Sequence, residues 1–334
     1  MFWYEKEAAV FSPVLSTRVR FARNVEGIPF PARLDLEGRL ALRERVRLSY
    51  GTLGSFVAFD TLSHAEKEMY LATRLASAAL VRRGEGTGLI LGQGGTASVM
   101  INEEDHLRVQ AIVSGKDMDG ALAIARSFLT PAEAIGLARR EGLGYLTACP
   151  TNLGAACRIS VMIHLPALAT LGKIPDLSHR LLRAGFALRG DMGEGSEKKL
   201  GLVQISNQQS REAQPDSIAE SLSAALSFVE EEEREAAKTL LSTSRLELAD
   251  RIGRAVGTLS YAQKMSFEEF STLYLWVRFG KALGLEEARR VPLCDRHLVE
   301  FSAGAMILPD AALADAARRD AARAARIRDL VKEN

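Results

Sequence analysis

Between positions 15 and 23 charged and apolar residues alternate, with Arg18 and Arg20 on one side and Val19 and Phe21 on the other. A period of two marks a strand with one buried face, so the chain must build a sheet that carries two guanidinium groups on its other face. The pattern recurs. Residues 157–165 alternate with Arg158, Ser160, Met162 and His164 on one side. Residues 96–102 and 106–113 read as two strands joined by an acidic turn, Glu103-Glu104-Asp105. Residues 186–189 and 202–206 complete the set and bracket a glycine-bearing stretch that holds Glu194 and Glu197. Residues 40–49 and 131–140 have helical spacing.

After about residue 217 the alternation disappears. Residues 217–242 are helical with a charged face that includes four consecutive glutamates from Glu230. Residues 266–283 open with Ser266-x-x-Glu269, a helix-start signal. Residues 311–330 are rich in alanine and arginine and also helical. The expected class is α+β, with a catalytic domain over 1–235 and a helical domain over 236–334.

Composition removes several alternatives. Forty-three Lys+Arg against 42 Asp+Glu leave a net charge of +1 over 334 residues, which gives no reason to expect a nucleic-acid binder. With 47% hydrophobic residues the chain has ample material for a core. Three cysteines, Cys149, Cys157 and Cys294, form no CxxC pair, which argues against a disulfide scaffold or structural zinc and suits a reducing compartment. No apolar run reaches membrane-spanning length and no leader is evident, so a cytoplasmic protein without membrane contact is expected. The five histidines show no metal-ligand spacing, and no resident metal site is expected.

The chemistry then rests on strand arginines. Arg18, Arg20, Arg108, Arg158 and Arg189 each sit on or at the end of an alternating strand. Taken singly, each is best read as a surface cation paired with a carboxylate. Together on one sheet face they would repel unless a polyanion neutralised them, and the guanidinium fork matches phosphate oxygens. There is no Walker A sequence, and neither an HRD nor a DFG motif. The glycines at 84, 86, 88, 92, 94 and 95 fit no strand–loop–helix register and read as turn residues. Arginines must therefore do what a phosphate loop does elsewhere. The acidic turn can hold a cation and accept its proton, and Cys149 sits in the polar turn Cys149-Pro-Thr-Asn-Leu-Gly154.

These residues resemble the phosphagen (guanidino) kinase family. The matching segments are Ser16-Thr-Arg-Val-Arg20, Asn102-Glu-Glu-Asp-His-Leu-Arg108, Cys149 to Gly154 with Arg158, and Arg189-Gly190 through Glu194. Within that family the chain is similar to the bacterial protein-arginine kinases. Only fifteen residues precede Ser16, where kinases of small guanidines carry a further helical domain, and Arg319-Asp320-Ala-Ala-Arg323-Ala matches a motif that in protein-arginine kinases binds phosphoarginine. The pattern departs from the family at Ala155, Cys157 and Arg74.

The resemblance implies an antiparallel sheet flanked by helices, followed by a helical C-terminal domain. It implies ATP with Mg²⁺, held through Ser16, Arg18, Arg20, Arg108, Arg158 and Arg189. Glu104 would bind the acceptor guanidinium and act as base, with Glu194 as second carboxylate and Cys149 against the same group. Arg319, Asp320 and Arg323 would form the phosphoarginine site; Arg319 and Arg323, at i and i+4, share a helix face. The implied partners are proteins with accessible arginines, a zinc-finger activator, a Clp unfoldase-protease and a second copy of the chain. A kinase of a free guanidine such as arginine, or a non-catalytic phosphoarginine-binding adaptor, are the alternatives.

Overall fold

The computed structural model describes residues 2–5, 12–190, 199–209 and 214–332. Its centre is an eight-stranded sheet, all of whose pairings are antiparallel. In chain order the strands are β1 (Val14–Arg23), β2 (Gly54–Ala58), β3 (Gly88–Gly92), β4 (Ala97–Ile101), β5 (Leu107–Ser114), β6 (Arg139–Arg140), β7 (Gly144–Tyr145), β8 (Cys157–His164), β9 (Phe186–Gly190) and β10 (Leu202–Asn207). The sheet order is β2-β3-β4-β5-β1-β8-β10-β9, and β6 and β7 form a separate hairpin. The first strand therefore lies in the middle, with β5 and β8 on its flanks.

Alternation in β1 does what the sequence requires. Val19, Phe21, Val109, Ile159 and Val161 are buried on one face, packed against the helices Met118–Ser127 and Pro215–Thr243. Arg18 and Arg20 emerge on the other.

Two local expectations are corrected. Gly88 and Gly92 are not turn residues but the ends of β3, whose sequence Gly-Leu-Ile-Leu-Gly is largely buried. Gly84, Gly86, Gly94 and Gly95 do occupy the left-handed region. Residues 131–140 are not one helix. A single turn, Thr130–Glu133, ends before Gly136 at φ 73°, and Arg139–Arg140 is a strand.

The helix Pro215–Thr243 runs unbroken through residue 235, and the first core continues to Leu240 and Leu248. A second core follows, built from Ile252, Leu259, Phe270, Val277, Phe301 and Ile327. Ser266 caps the helix Phe267–Ala282 by accepting from the Glu269 N–H. This helical part seats on the catalytic part where Gly304 meets the helix His64–Ala72; a Cβ there would lie 2.3 Å from the Met69 nitrogen. Among the described residues no helix is long and apolar enough to cross a membrane.

One buried carboxylate ties the long helix down. Glu233 accepts from the N–H groups of Ala167 (2.7 Å) and Leu168 (3.0 Å), and burial pushes its pKa up to about 7 against those two donors. Glu233→Ala leaves both donors unsatisfied and is expected to cost about 1–3 kcal/mol, visible as a lower denaturant midpoint at unchanged m.

Candidate active site

One cleft of about 480 Å³ gathers Arg18, Arg20, Arg108, Arg158 and Arg189 with Glu104 and Cys149. Strand register explains the convergence. Arg20 stands directly opposite Arg158, Arg18 opposite Ser160, and Ala22 opposite Arg108. Gln204 lies opposite Arg189 on the next pair and accepts from Arg18 Nη2 at 3.0 Å. With Arg74, the described lining holds six guanidinium groups against three carboxylates. Like charges directly across a ladder are destabilising, and burial compounds the cost. Burial, then Arg74, Arg108 and Arg158, lower the Arg18 pKa to about 9. Burial and the neighbouring guanidiniums push Arg20 well below its ordinary value, with Glu103 opposing. Arginine keeps its proton all the same, so guanidiniums crowded in this way favour an anion in the cleft. The buried Arg20 Nε–H has no partner among the described residues.

The acidic turn is not a solvated one. Asn102 opens it in the left-handed region at φ 58°, a conformation asparagine tolerates, and donates to the carbonyls of Arg39 and Gly86. Glu103 is buried; its carboxylate takes the Ser77 hydroxyl, the Glu104 N–H (2.9 Å) and Arg108 Nη1 (2.5 Å). Burial raises its pKa, but Arg108 and those donors outweigh it and the net shift is down. Asp105 is also buried and accepts from Asn24 Nδ2 (2.6 Å) and the Ala148 N–H (2.7 Å). Only Glu104 of the three is exposed to the cleft. Its pKa is raised, first by burial of part of the carboxyl and then by Asp105 and Glu103.

Asn24 joins the two sides. Besides Asp105 it donates to the Leu146 carbonyl and accepts from the His106 N–H. The acidic turn is thereby fixed to the loop that carries Cys149, whose Sγ lies 3.0 Å from Thr151 Oγ1. The neck of that loop is closed by two glycines in contact: Tyr145 N–H donates to the Gly154 carbonyl, and a Cβ on Gly144 (φ 72°) would meet the Gly154 oxygen at 2.5 Å. Gly144→Ala is expected to move Cys149 away from Glu104. It should lower turnover while anion binding at the arginine-lined part of the cleft stays within about twofold; equal losses in both would show that the neck supports the whole cleft.

Not every expected residue lies here. Ser16 is buried and faces an adjoining cavity. Glu194 and Glu197 lie outside the described residues. Arg319, Asp320 and Arg323 are in the C-terminal helix Ala316–Lys332, and the two arginines are not both open. Arg323 is 1% exposed and committed to the carbonyls of Phe301 (2.9 Å) and Met265 (2.7 Å) and to Asp320 (2.6 Å). Arg319 donates to the carbonyls of Leu313 and Ala314. Asn24, Ser77 and Gln204 were not anticipated. Gln204 alone left a signal, a polar residue on the inward side of an apolar strand. Among the described residues no group of three His, Cys, Asp or Glu could hold a metal.

Comparison with known proteins agrees with this geometry. The family model for the ATP:guanido phosphotransferase C-terminal catalytic domain matches residues 44–236, and that for the protein-arginine kinase McsB C-terminal domain matches residues 245–334. A protein-arginine kinase of Halothermothrix orenii is 37% identical over 277 residues, covering 81% of this chain and 79% of its own. Another, from Halalkalibacterium halodurans, is 33% identical over 337 residues, 99% of this chain and 95% of its own. The crystal structure of lombricine kinase superposes with a TM-score of 0.60 at 21% identity over 68% of each chain. A duplicated taurocyamine kinase from Schistosoma mansoni, with bound transition-state-analogue components, gives 0.56 at 23% over 78% of this chain and 38% of its own. At those identities the structural likeness is one of fold.

Proposed function

The chain belongs to the ATP:guanido phosphotransferase family, and from that premise we propose that it is a protein-arginine kinase, transferring the γ-phosphoryl group of ATP to the guanidinium of arginine residues in proteins. The observation that carries this reading is the exposed carboxylate of Glu104, which with Cys149 lines a cleft where, among the described residues, six guanidinium groups outnumber three carboxylates and the other two, Glu103 and Asp105, are buried.

Arg18, Arg20, Arg108, Arg158 and Arg189 hold the triphosphate and neutralise charge that shifts during transfer. The cleft's depressed Arg18 and Arg20, and an Arg20 Nε–H without a partner among the described residues, fit a polyanion. Mg²⁺ would come bound to the nucleotide's own oxygens, where it screens phosphate charge; the chain contributes no ligand set for it among the described residues. A guanidinium with a pKa of roughly 12.5 is a poor nucleophile. Glu104 orients it in line and takes one proton from the attacking nitrogen as the N–P bond forms and the bond to the ADP oxygen breaks. Cys149 contacts the same guanidinium. Glu103 is not the base: it is buried, and its oxygens are taken by the Ser77 hydroxyl, the Glu104 N–H and Arg108. Positioning of this kind is worth about 7–11 kcal/mol.

Incubation with Mg-ATP and an unfolded arginine-containing protein should give acid-labile, base-stable phosphate on arginine by mass spectrometry. Label on free arginine alone, in a parallel tube, would return the chain to the kinases of small guanidines.

The same reading places the enzyme in the cytoplasm as a homodimer, with a zinc-finger activator and a Clp unfoldase-protease that consumes its products. It also makes Arg319, Asp320 and Arg323 a regulatory phosphoarginine site. Arg319→Ala should then blunt stimulation by added phosphoarginine. It is a cleaner test than Arg323→Ala, which removes hydrogen bonds to a buried charge, each worth about 1.5–3 kcal/mol, and loosens the helical part.

A further inference from the structure

Two short lips bound the cleft where Glu104 and Cys149 line it. One is the start of the helix Ala78–Arg83. Ser77 caps that helix by accepting from the Leu80 N–H (3.0 Å), and its hydroxyl donates to the buried carboxylate of Glu103. The helix is thereby locked beside the acidic turn, and Ser77, Ala78 and Ala79 line the cleft there. The other lip is the loop of Cys149, which contributes Thr151 and Asn152. None of these side chains is charged or large. An arriving polypeptide is therefore sorted by what stands just behind them.

Behind each lip stand exposed arginines. Arg82 is one turn along the helix from Ala78, about 6 Å along the axis, and on the same face; both residues are exposed. On the loop side Arg139 and Arg140 form β6, and both are exposed. Backbone bonds fix where this strand lies. The Ala148 N–H donates to Asp105 (2.7 Å), the Leu146 N–H to the Ala138 carbonyl (3.0 Å), and the Ala138 N–H to the Asn24 carbonyl (2.8 Å). Two residues, one ladder rung and one further residue separate Ala148 from Arg139, a span of at most about 17 Å between Cα atoms. Arg139 is also held by Tyr145: its guanidinium lies 4.2 Å from the ring centroid, and that of the buried Arg23 lies 3.5 Å from the same centroid. An extended polypeptide covers about 17 Å in roughly five residues. Both sets of arginines are thus within reach of the residues that flank a target arginine bound at Glu104.

Over residues 78–85 and 137–156 the charged side chains are Arg82, Arg83, Arg139 and Arg140 against Glu85 and Glu141. Guanidiniums inside the cleft are neutralised once they hold a triphosphate. Those at the rim are not, and a protein segment delivering its own guanidinium meets them next. A lysine or arginine beside the target is repelled there, and an aspartate or glutamate is attracted.

On the protein-arginine kinase reading, from which this follows, we propose that Arg82, Arg139 and Arg140 select target arginines that stand in acidic segments of the acceptor protein. Rim charge acts chiefly on the rate of encounter, so the preference depends on salt. The screening length falls from about 30 Å at 0.01 M salt to about 3 Å at 1 M.

The test uses two unfolded polypeptides of equal length, each with a single arginine, one flanked by glutamates and the other by lysines over about five residues on either side. Initial rates of phosphoarginine formation at subsaturating acceptor should favour the glutamate-flanked chain about fivefold or more at about 0.02 M salt, and less than about twofold at about 0.5 M. Arg82→Glu with Arg140→Glu should abolish or reverse the low-salt order; Arg139 is left in place because it packs on Tyr145. If the double variant fails to fold, each single exchange should remove part of the preference. Equal rates on the two polypeptides in the unmodified enzyme, or a preference that survives these exchanges, overturns the proposal and spares the kinase reading. Label on neither polypeptide removes the kinase reading and the proposal with it.

Discussion

Glu104→Gln lowers phosphoryl transfer about 10²–10⁴-fold, while the ATP dissociation constant stays within about twofold. The size of the loss follows from what the neighbours are doing. Glu103 is held by Ser77 and Arg108, and Asp105 by Asn24 and the Ala148 N–H, so neither can turn into the cleft to replace the missing base. The wild-type pH profile carries the same information. Burial and two adjacent carboxylates raise the Glu104 pKa. A base works when ionised, so the rate falls as pH drops through that pKa, and the fall begins at higher pH than for an ordinary glutamate. In the Gln variant this acid limb disappears. Single-turnover formation of phosphoarginine across pH, beside an ATP titration, checks both points; near-normal turnover would remove Glu104 from the base role.

Arg158→Ala should have effects of opposite sign on the empty and the nucleotide-bound protein. Arg158 stands across the ladder from Arg20, and its charge presses on both Arg18 and Arg20. Its removal relieves that repulsion by up to about 1 kcal/mol in the empty protein, less what its attraction to Glu104 contributed. The phosphate cradle loses a fork, and turnover falls about 10²–10³-fold. ATP at a concentration 100 times the wild-type Kd stabilises the wild type by about 2.7 kcal/mol and the variant by little. Thermal unfolding with and without ATP reads both signs at once. An unchanged ATP Kd would exclude Arg158 from the cradle.

Sequence alone revealed what is written in local patterns. Arg18 and Arg20 on β1 and Arg158 on β8 could be placed on strand faces because their neighbours alternate. The acidic turn was visible because it interrupts two apolar runs. β3 was not, since a strand buried along its length and bounded by glycines shows no alternation. The short helix Thr130–Glu133 was overextended because the proline near its start is a strong signal and the stop at Gly136 depends on one dihedral angle. Ser77 and Asn24 were out of reach for another reason. Their partners lie 26 and 81 residues away, and no periodicity pairs residues at such distances. Arg323 shows the limit from the other side: spacing placed it on a helix face with Arg319, but only packing shows that its fork is filled by the chain's own carbonyls.

The central position of β1 governs how this protein can be made. On a ribosome the chain emerges from its N-terminal end, so the first strand is out early with both hydrogen-bonding edges bare. Its partner β5 is complete only at residue 114 and β8 only at residue 164. At translation rates of about 5–20 residues per second, the strand that carries Arg18 and Arg20 waits from about 5 to about 30 seconds for closure. During that time it presents Val14, Val19 and Phe21 beside unpaired backbone, an invitation to pair with another nascent chain. On one side β2, β3 and β4 are made before β5 can close on β1, while on the other β8 reaches β1 before β9 and β10 exist, so a pause in synthesis before residue 114 leaves the central strand exposed to aggregation.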